Sequence, residues 1–106
     1  MRYVLNSPVL TGYGNWTFSG PLSVEQAQAF LAAGEFCSAI GHESTAQLLS
    51  QLLRRDIPFQ RQTVAMEPGD DALVFRLQGR LPEGCLLTLS SLSSLSYEFG
   101  VLARIS

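Results

Sequence analysis

The sequence predicts an α/β fold: a single small domain spanning residues 1–106, with a mixed β-sheet of about five to six strands flanked by about three helices. Three observations carry this expectation. Short apolar runs of strand character are interleaved with segments of helical spacing. Glycine- and proline-centred breaks separate them. At 106 residues the chain can build one hydrophobic core but not two.

Residues 2–6 read as a first strand, stopped at Ser7-Pro8 because proline cannot donate to a ladder. Thr11 to Asn15 supply a turn, and Trp16-Thr17-Phe18 resume an extended pattern until the Gly20-Pro21 break. Ser23 and Gln26 stand three apart as a capping box for a helix to about Ala33, with Gly34 expected to take the left-handed position after it. Phe36 to Ile40 has the mostly apolar character of a central strand. It feeds into Gly41-His42-Glu43-Ser44-Thr45. A second helix follows, with Ala46, Leu48, Leu49, Leu52 and Leu53 at helical spacing, a second capping box at Ser44 and Gln47, and closure at Asp56 to Pro58.

Residues 60–67 alternate well enough for a strand, Pro68 to Asp71 turn, and residues 72–77 are expected to return as its hairpin partner. Residues 80–84 read as a loop, 88–95 as a short helix with Ser90, Ser91, Ser93 and Ser94 on its wet face, and 97–105 as a terminal strand.

Composition narrows the function classes. With 46% hydrophobic and 15% charged residues the chain can offset its conformational entropy by burial, which excludes a disordered segment. Its apolar runs fall far short of the roughly 20 residues of a membrane span, and the opening residues lack a secretory apolar stretch, so a cytoplasmic location is expected. A net charge of −2 argues against a broad grip on DNA, although a small anion remains a suitable ligand. All seven basic residues are arginine, which suits bidentate phosphate contacts and equally reflects genome composition. Cys37 and Cys85 with a single histidine cannot assemble a zinc quartet or a CxxC pair, so no metal site and no cofactor are expected; Cys37 reads as a core residue. A serine or cysteine hydrolase is disfavoured by the absence of a Gly-x-Ser-x-Gly elbow.

The chemistry concentrates where strand 36–40 runs through Gly41 and His42 into a helix. Ligands of open α/β sheets collect outside the carboxyl ends of strands, where a helix N-terminus offers free amides to anions. Gly41 allows close approach of a phosphate to the backbone, and His42 can give or take a proton near neutral pH. A lone histidine at a strand end is more often structural than catalytic, and only its setting raises the second reading. In Arg80-Leu81-Pro82-Glu83-Gly84 an arginine and a glutamate stand three apart, either as phosphate stabiliser and proton-transfer partner or as a solvated ion pair. Arg61 and Arg76, placed on the two strands of the expected hairpin, either face ligand or coat a wet surface.

Residues 38–45 and 80–84 together resemble the viral anti-CRISPR ring nuclease family and its cellular and mobile-element relatives. The resemblance extends over the opening residues 3–11, the stretch 67–75 and Tyr97-Glu98-Phe99-Gly100, in the family's order. It implies a homodimer whose pocket crosses the twofold axis and takes cyclic tetra-adenylate, the messenger of type III CRISPR defence. It also implies cleavage without metal, by attack of a ribose 2′-hydroxyl on the adjacent phosphate, with a functional link to type III effectors. The family's catalytic histidine falls on His42, its arginine and glutamate on Arg80 and Glu83, and its ligand-contacting positions on Asn6 and Arg61. Arg76 replaces an expected glutamine. The other reading left open is a non-catalytic module that binds a cyclic oligonucleotide or a protein.

Overall fold

The computed structural model describes residues 1–6, 10, 12–78 and 96–106. Among them are five strands and two helices: β1 (Arg2–Leu5), β2 (Trp16–Leu22), α1 (Val24–Ala32), β3 (Cys37–Ser38), α2 (Glu43–Leu53), β4 (Asp71–Gln78) and β5 (Ser96–Arg104). They form one mixed sheet in the order β2-β5-β4-β1-β3. β1 runs parallel to both β3 and β4, whereas β5 is antiparallel to β4 and β2. The expected α/β class and mixed sheet are therefore present.

The core has two layers because side chains alternate across a strand. Leu73 and Phe75 of β4 join Val4 and Phe99 beneath Ala27 and Leu31 of α1 and Ala46, Leu49 and Leu53 of α2. Ala72 and Val74 point the other way, where Leu5, Met66 and Leu102 cover them and Val64 and Trp16 pack alongside. Burial on both faces explains why Ala72-Leu73-Val74-Phe75 is a continuous apolar run rather than an alternating one. Phe75, Phe99 and Tyr97 add an aromatic cluster with centroids 5.5–6.0 Å apart, tilted about Phe75 and edge-on between Tyr97 and Phe99.

Two arginines fasten distant segments. Arg2 forks onto Asp71 at 3.0 and 3.1 Å, donates to the Phe30 carbonyl and stacks on the Phe30 ring. Arg104 donates to the carbonyls of Met66 and Tyr13 and lies 5.5 Å from the Trp16 ring, tying β5 to both flanking loops.

Several local expectations are corrected. Residues 60–67 form no strand and no hairpin with β4, because both edges of β4 are occupied by β1 and β5. The turn at Pro68-Gly69 is real, with Gly69 at φ +94, a conformation that favours glycine. β2 continues through Gly20-Pro21 with a register shift between Ser19 and Leu22, which an edge strand tolerates. The Ser23–Gln26 capping box of α1 forms as expected, but the helix closes on a right-handed Ala33 and Gly34 is not left-handed. β3 is short and lies at the sheet edge rather than in its centre. α2 starts two residues earlier than a Ser44 cap requires: His42 is the N-cap, and no Ser44 capping box exists. It ends at Leu53 through a left-handed Arg54, before Asp56 to Pro58. Cys37 is half-buried, with its thiol 3.8 Å from the Met1 sulfur, rather than in the core. The expected helix over 88–95 lies outside the described residues.

Candidate functional site

Because β1, β3 and β4 are parallel, their carboxyl ends share one edge of the sheet. The register aligns Val4 with Ser38 on one side and Leu73 on the other. Asn6 follows Val4 by two residues, Arg76 follows Leu73 by three and His42 follows Ser38 by four, so all three stand at or beyond that edge. This is the edge where open α/β sheets receive ligands.

His42 is exposed and has the extended backbone of an N-cap, φ −128° and ψ 124°. Its carbonyl accepts the Ala46 amide at 3.0 Å, the first bond of α2, and its imidazole makes no capping bond. The first-turn amides are thus without a side-chain cap and carry the positive end of the helix dipole. An open depression over them is lined by His42, Glu43, Ser44 and Gln47. Glu43 offsets part of the field there, since an acidic first-turn residue competes with an incoming anion.

Arg61 completes this corner. Residues 57–62 run beside 38–41 as an irregular strap, joined by a parallel bridge between Ile40 and Phe59 and by the Gln60 amide donating to the Ile40 carbonyl at 3.0 Å. The strap lays the Arg61 side chain across Gly41: a Cβ on Gly41 would meet Arg61 Cγ and Nε at 3.8 Å, ordinary van der Waals contact. Gly41 has no positive φ, so the backbone does not require glycine there.

The fold therefore brings Gly41, His42 and Arg61 together. Asn6, half-buried, lies at the end of the adjacent strand. Arg76 is separate: it projects from the helix-free face of β4, opposite Glu98, with its guanidinium 5.9 Å from the Phe18 ring, in a cleft also lined by Gly20, Pro21 and Gly100. Two strand spacings, about 10 Å, separate β4 from β3. Arg80 and Glu83 lie outside the described residues. Among the described residues no group of three His, Cys, Asp or Glu side chains is placed to hold a metal ion, and no helix is long and apolar enough to cross a membrane.

Ser38, Ser50 and Gln62, which tie the strap to its surroundings, are site-supporting residues that sequence reasoning missed. The available signal was Ser38, a hydroxyl inside the apolar run 36–40 that needs a buried partner.

Comparison with known proteins agrees with this architecture. A family model described as STIV B116-like matches residues 2–99. Protein 26 of Sulfolobus islandicus filamentous virus is 34% identical over 101 residues, covering 92% of this chain and 86% of that protein. YddF of Bacillus subtilis is 35% identical over 103 residues, covering 95% and 94%. The structure of B116 of Sulfolobus turreted icosahedral virus superposes with a TM-score of 0.76 at 23% identity, covering 97% of this chain and 98% of that one, a likeness of fold.

Proposed function

The chain belongs to the STIV B116-like family, and from that premise we propose that it is a metal-independent ring nuclease, binding cyclic tetra-adenylate at a homodimer interface and cleaving it to linear di-adenylate. The observation that carries this reading is the corner at the carboxyl edge: an exposed imidazole at the N-cap of a helix whose first amides have no side-chain cap, with an arginine laid over the preceding glycine. Anion capture and proton donation then fall within one short stretch of chain.

A ring of ribonucleotides carries its own nucleophile, so the protein's work is alignment, charge stabilisation and proton transfer. A ribose 2′-oxygen attacks the adjacent phosphorus, the bond from phosphorus to the 5′-oxygen breaks, and His42 protonates the departing oxygen. Glu83 assists removal of the 2′-hydroxyl proton, and Arg80 steadies the charge on the phosphate. The product end is a 2′,3′-cyclic phosphate, with no water consumed. Asn6, Gly41 and Arg61 hold the ring, with Arg76 at its margin. A twofold assembly would present this set twice to a ligand of matching symmetry, giving two cuts on opposite sides. The consequence would be to switch off type III CRISPR signalling.

Incubating the purified protein with labelled cyclic tetra-adenylate in EDTA tests the proposal. Conversion to linear di-adenylate is expected. Tight binding without turnover would identify a non-catalytic module instead, and absence of binding would remove the ring as ligand.

A further inference from the structure

Resting on the site just proposed, we infer that Gln62 is a positioning residue that holds Arg61 over Gly41, the residue before His42, with Ser38 and Ser50 as its anchors. The strap 57–62 has no strand partner beyond the single Ile40–Phe59 bridge, so backbone pairing alone does not fix it. Side chains supply the remaining constraints. Ser38, only 2% exposed, donates through its hydroxyl to the Pro58 carbonyl at 2.7 Å, and the same oxygen accepts the Ile40 amide at 3.4 Å. Ser50, on the third turn of the helix that His42 caps, accepts the Ile57 amide at 2.9 Å. The far end is closed by Gln62, whose side-chain amide donates to the Ser38 carbonyl at 2.7 Å.

These bonds bracket Arg61 from both sides. Ser50 fixes residue 57 to α2, the Gln60 amide fixes residue 60 to Ile40, and Gln62 fixes residue 62 to Ser38, two residues before Ile40. Without the last bond the next anchors after Arg61 would be Val64 and Met66 in the second core layer, and the guanidinium could swing away from Gly41. Gln62 is itself exposed and outside the hydrophobic core, so its contribution is to geometry more than to folding. It acts through Arg61 and does not itself touch the reacting atoms.

Two near-isosteric variants, Gln62→Leu and Gln62→Glu, remove the donor. In the ligand-free protein, the Arg61 Nε–Hε NMR resonance should collapse toward the position of a free arginine, while the melting temperature falls by no more than a few degrees. In ring cleavage, KM should rise roughly tenfold, the loss expected for one charge-assisted contact, with kcat changed much less. Arg61→Ala should then cost little further in the Gln62→Leu background, because coupled residues are not additive. An unchanged Arg61 resonance, or costs that simply add, would overturn the positioning role. If wild-type protein binds no ring but the Arg61 resonance still collapses in Gln62→Leu, the ring assignment fails and the positioning role stands.

Discussion

Replacing His42 by Asn should stabilise the protein while sharply slowing the proposed ring cleavage. The N-cap backbone is extended and the imidazole makes no capping bond, so α2 now begins without the side-chain acceptor that Asn, Ser or Asp provides. Asn at this position can accept a first-turn amide, a gain of about 1 kcal/mol relative to an uncapped helix. For a domain of this size that corresponds to a rise in melting temperature of about 4 to 8 °C. The amide cannot serve as a general acid, so cleavage of cyclic tetra-adenylate should fall by a factor of about 10² to 10⁴, at least about 2.7 kcal/mol of transition-state stabilisation. Differential scanning calorimetry and single-turnover cleavage on the same preparation read both quantities. His42→Ala is the control, with stability near wild type and the same loss of rate. A lowered melting temperature in His42→Asn would show that the imidazole packs or caps in a way the structure does not display. Retention of more than about a tenth of the rate would remove His42 as the acid.

Two further perturbations test the frame around the site. Leu49→Ala, at a fully buried position on α2, should cost about 2 to 5 kcal/mol, seen as a lower midpoint of urea unfolding with an unchanged slope; a loss under about 1 kcal/mol would mean that α2 is not seated on the sheet as described. Asp70 has its carboxyl held below the usual carboxylate range, first by the Glu67 amide and then by the N-terminal amine at 3.0 Å. Its folded value lies below its unfolded one, so the stabilisation is present above the unfolded value and is lost as pH falls through the folded value. Asp70→Asn should therefore melt below wild type at neutral pH and converge with it in acid, and a constant gap across that range would contradict the assignment.

What the sequence made legible was what local chemistry dictates. The Ser23–Gln26 box, the turn at Pro68-Gly69 and the apolar run of β4 each follow from residues close together in the chain. Residues 60–67 show why alternation alone misleads: Val64 and Met66 do point to one buried face, but β4 already has two partners and offers no edge for pairing. Ser44 is an adequate N-cap in isolation, yet the chain leaves the strap bridge at Ile40 in extended conformation as far as His42 and enters the helix there. The fasteners Arg2–Asp71 and Arg104–Tyr13 link positions 69 and 91 residues apart, a separation at which neither periodicity nor local motif gives a signal. In the candidate site Gly41, His42 and Arg61 were each legible as residue types, while their meeting was not, because it depends on the Ser38 and Gln62 bonds.

In the proposed reaction the ring's own 2′-hydroxyl is the nucleophile, and the protein supplies alignment and a proton from His42. Cleavage in ¹⁸O-enriched water, with the first product analysed by mass spectrometry, tests it directly. Internal attack predicts a linear di-adenylate ending in a 2′,3′-cyclic phosphate that carries no ¹⁸O. A first product that already bears one ¹⁸O on a terminal phosphate monoester would show that water is the nucleophile and would contradict the mechanism.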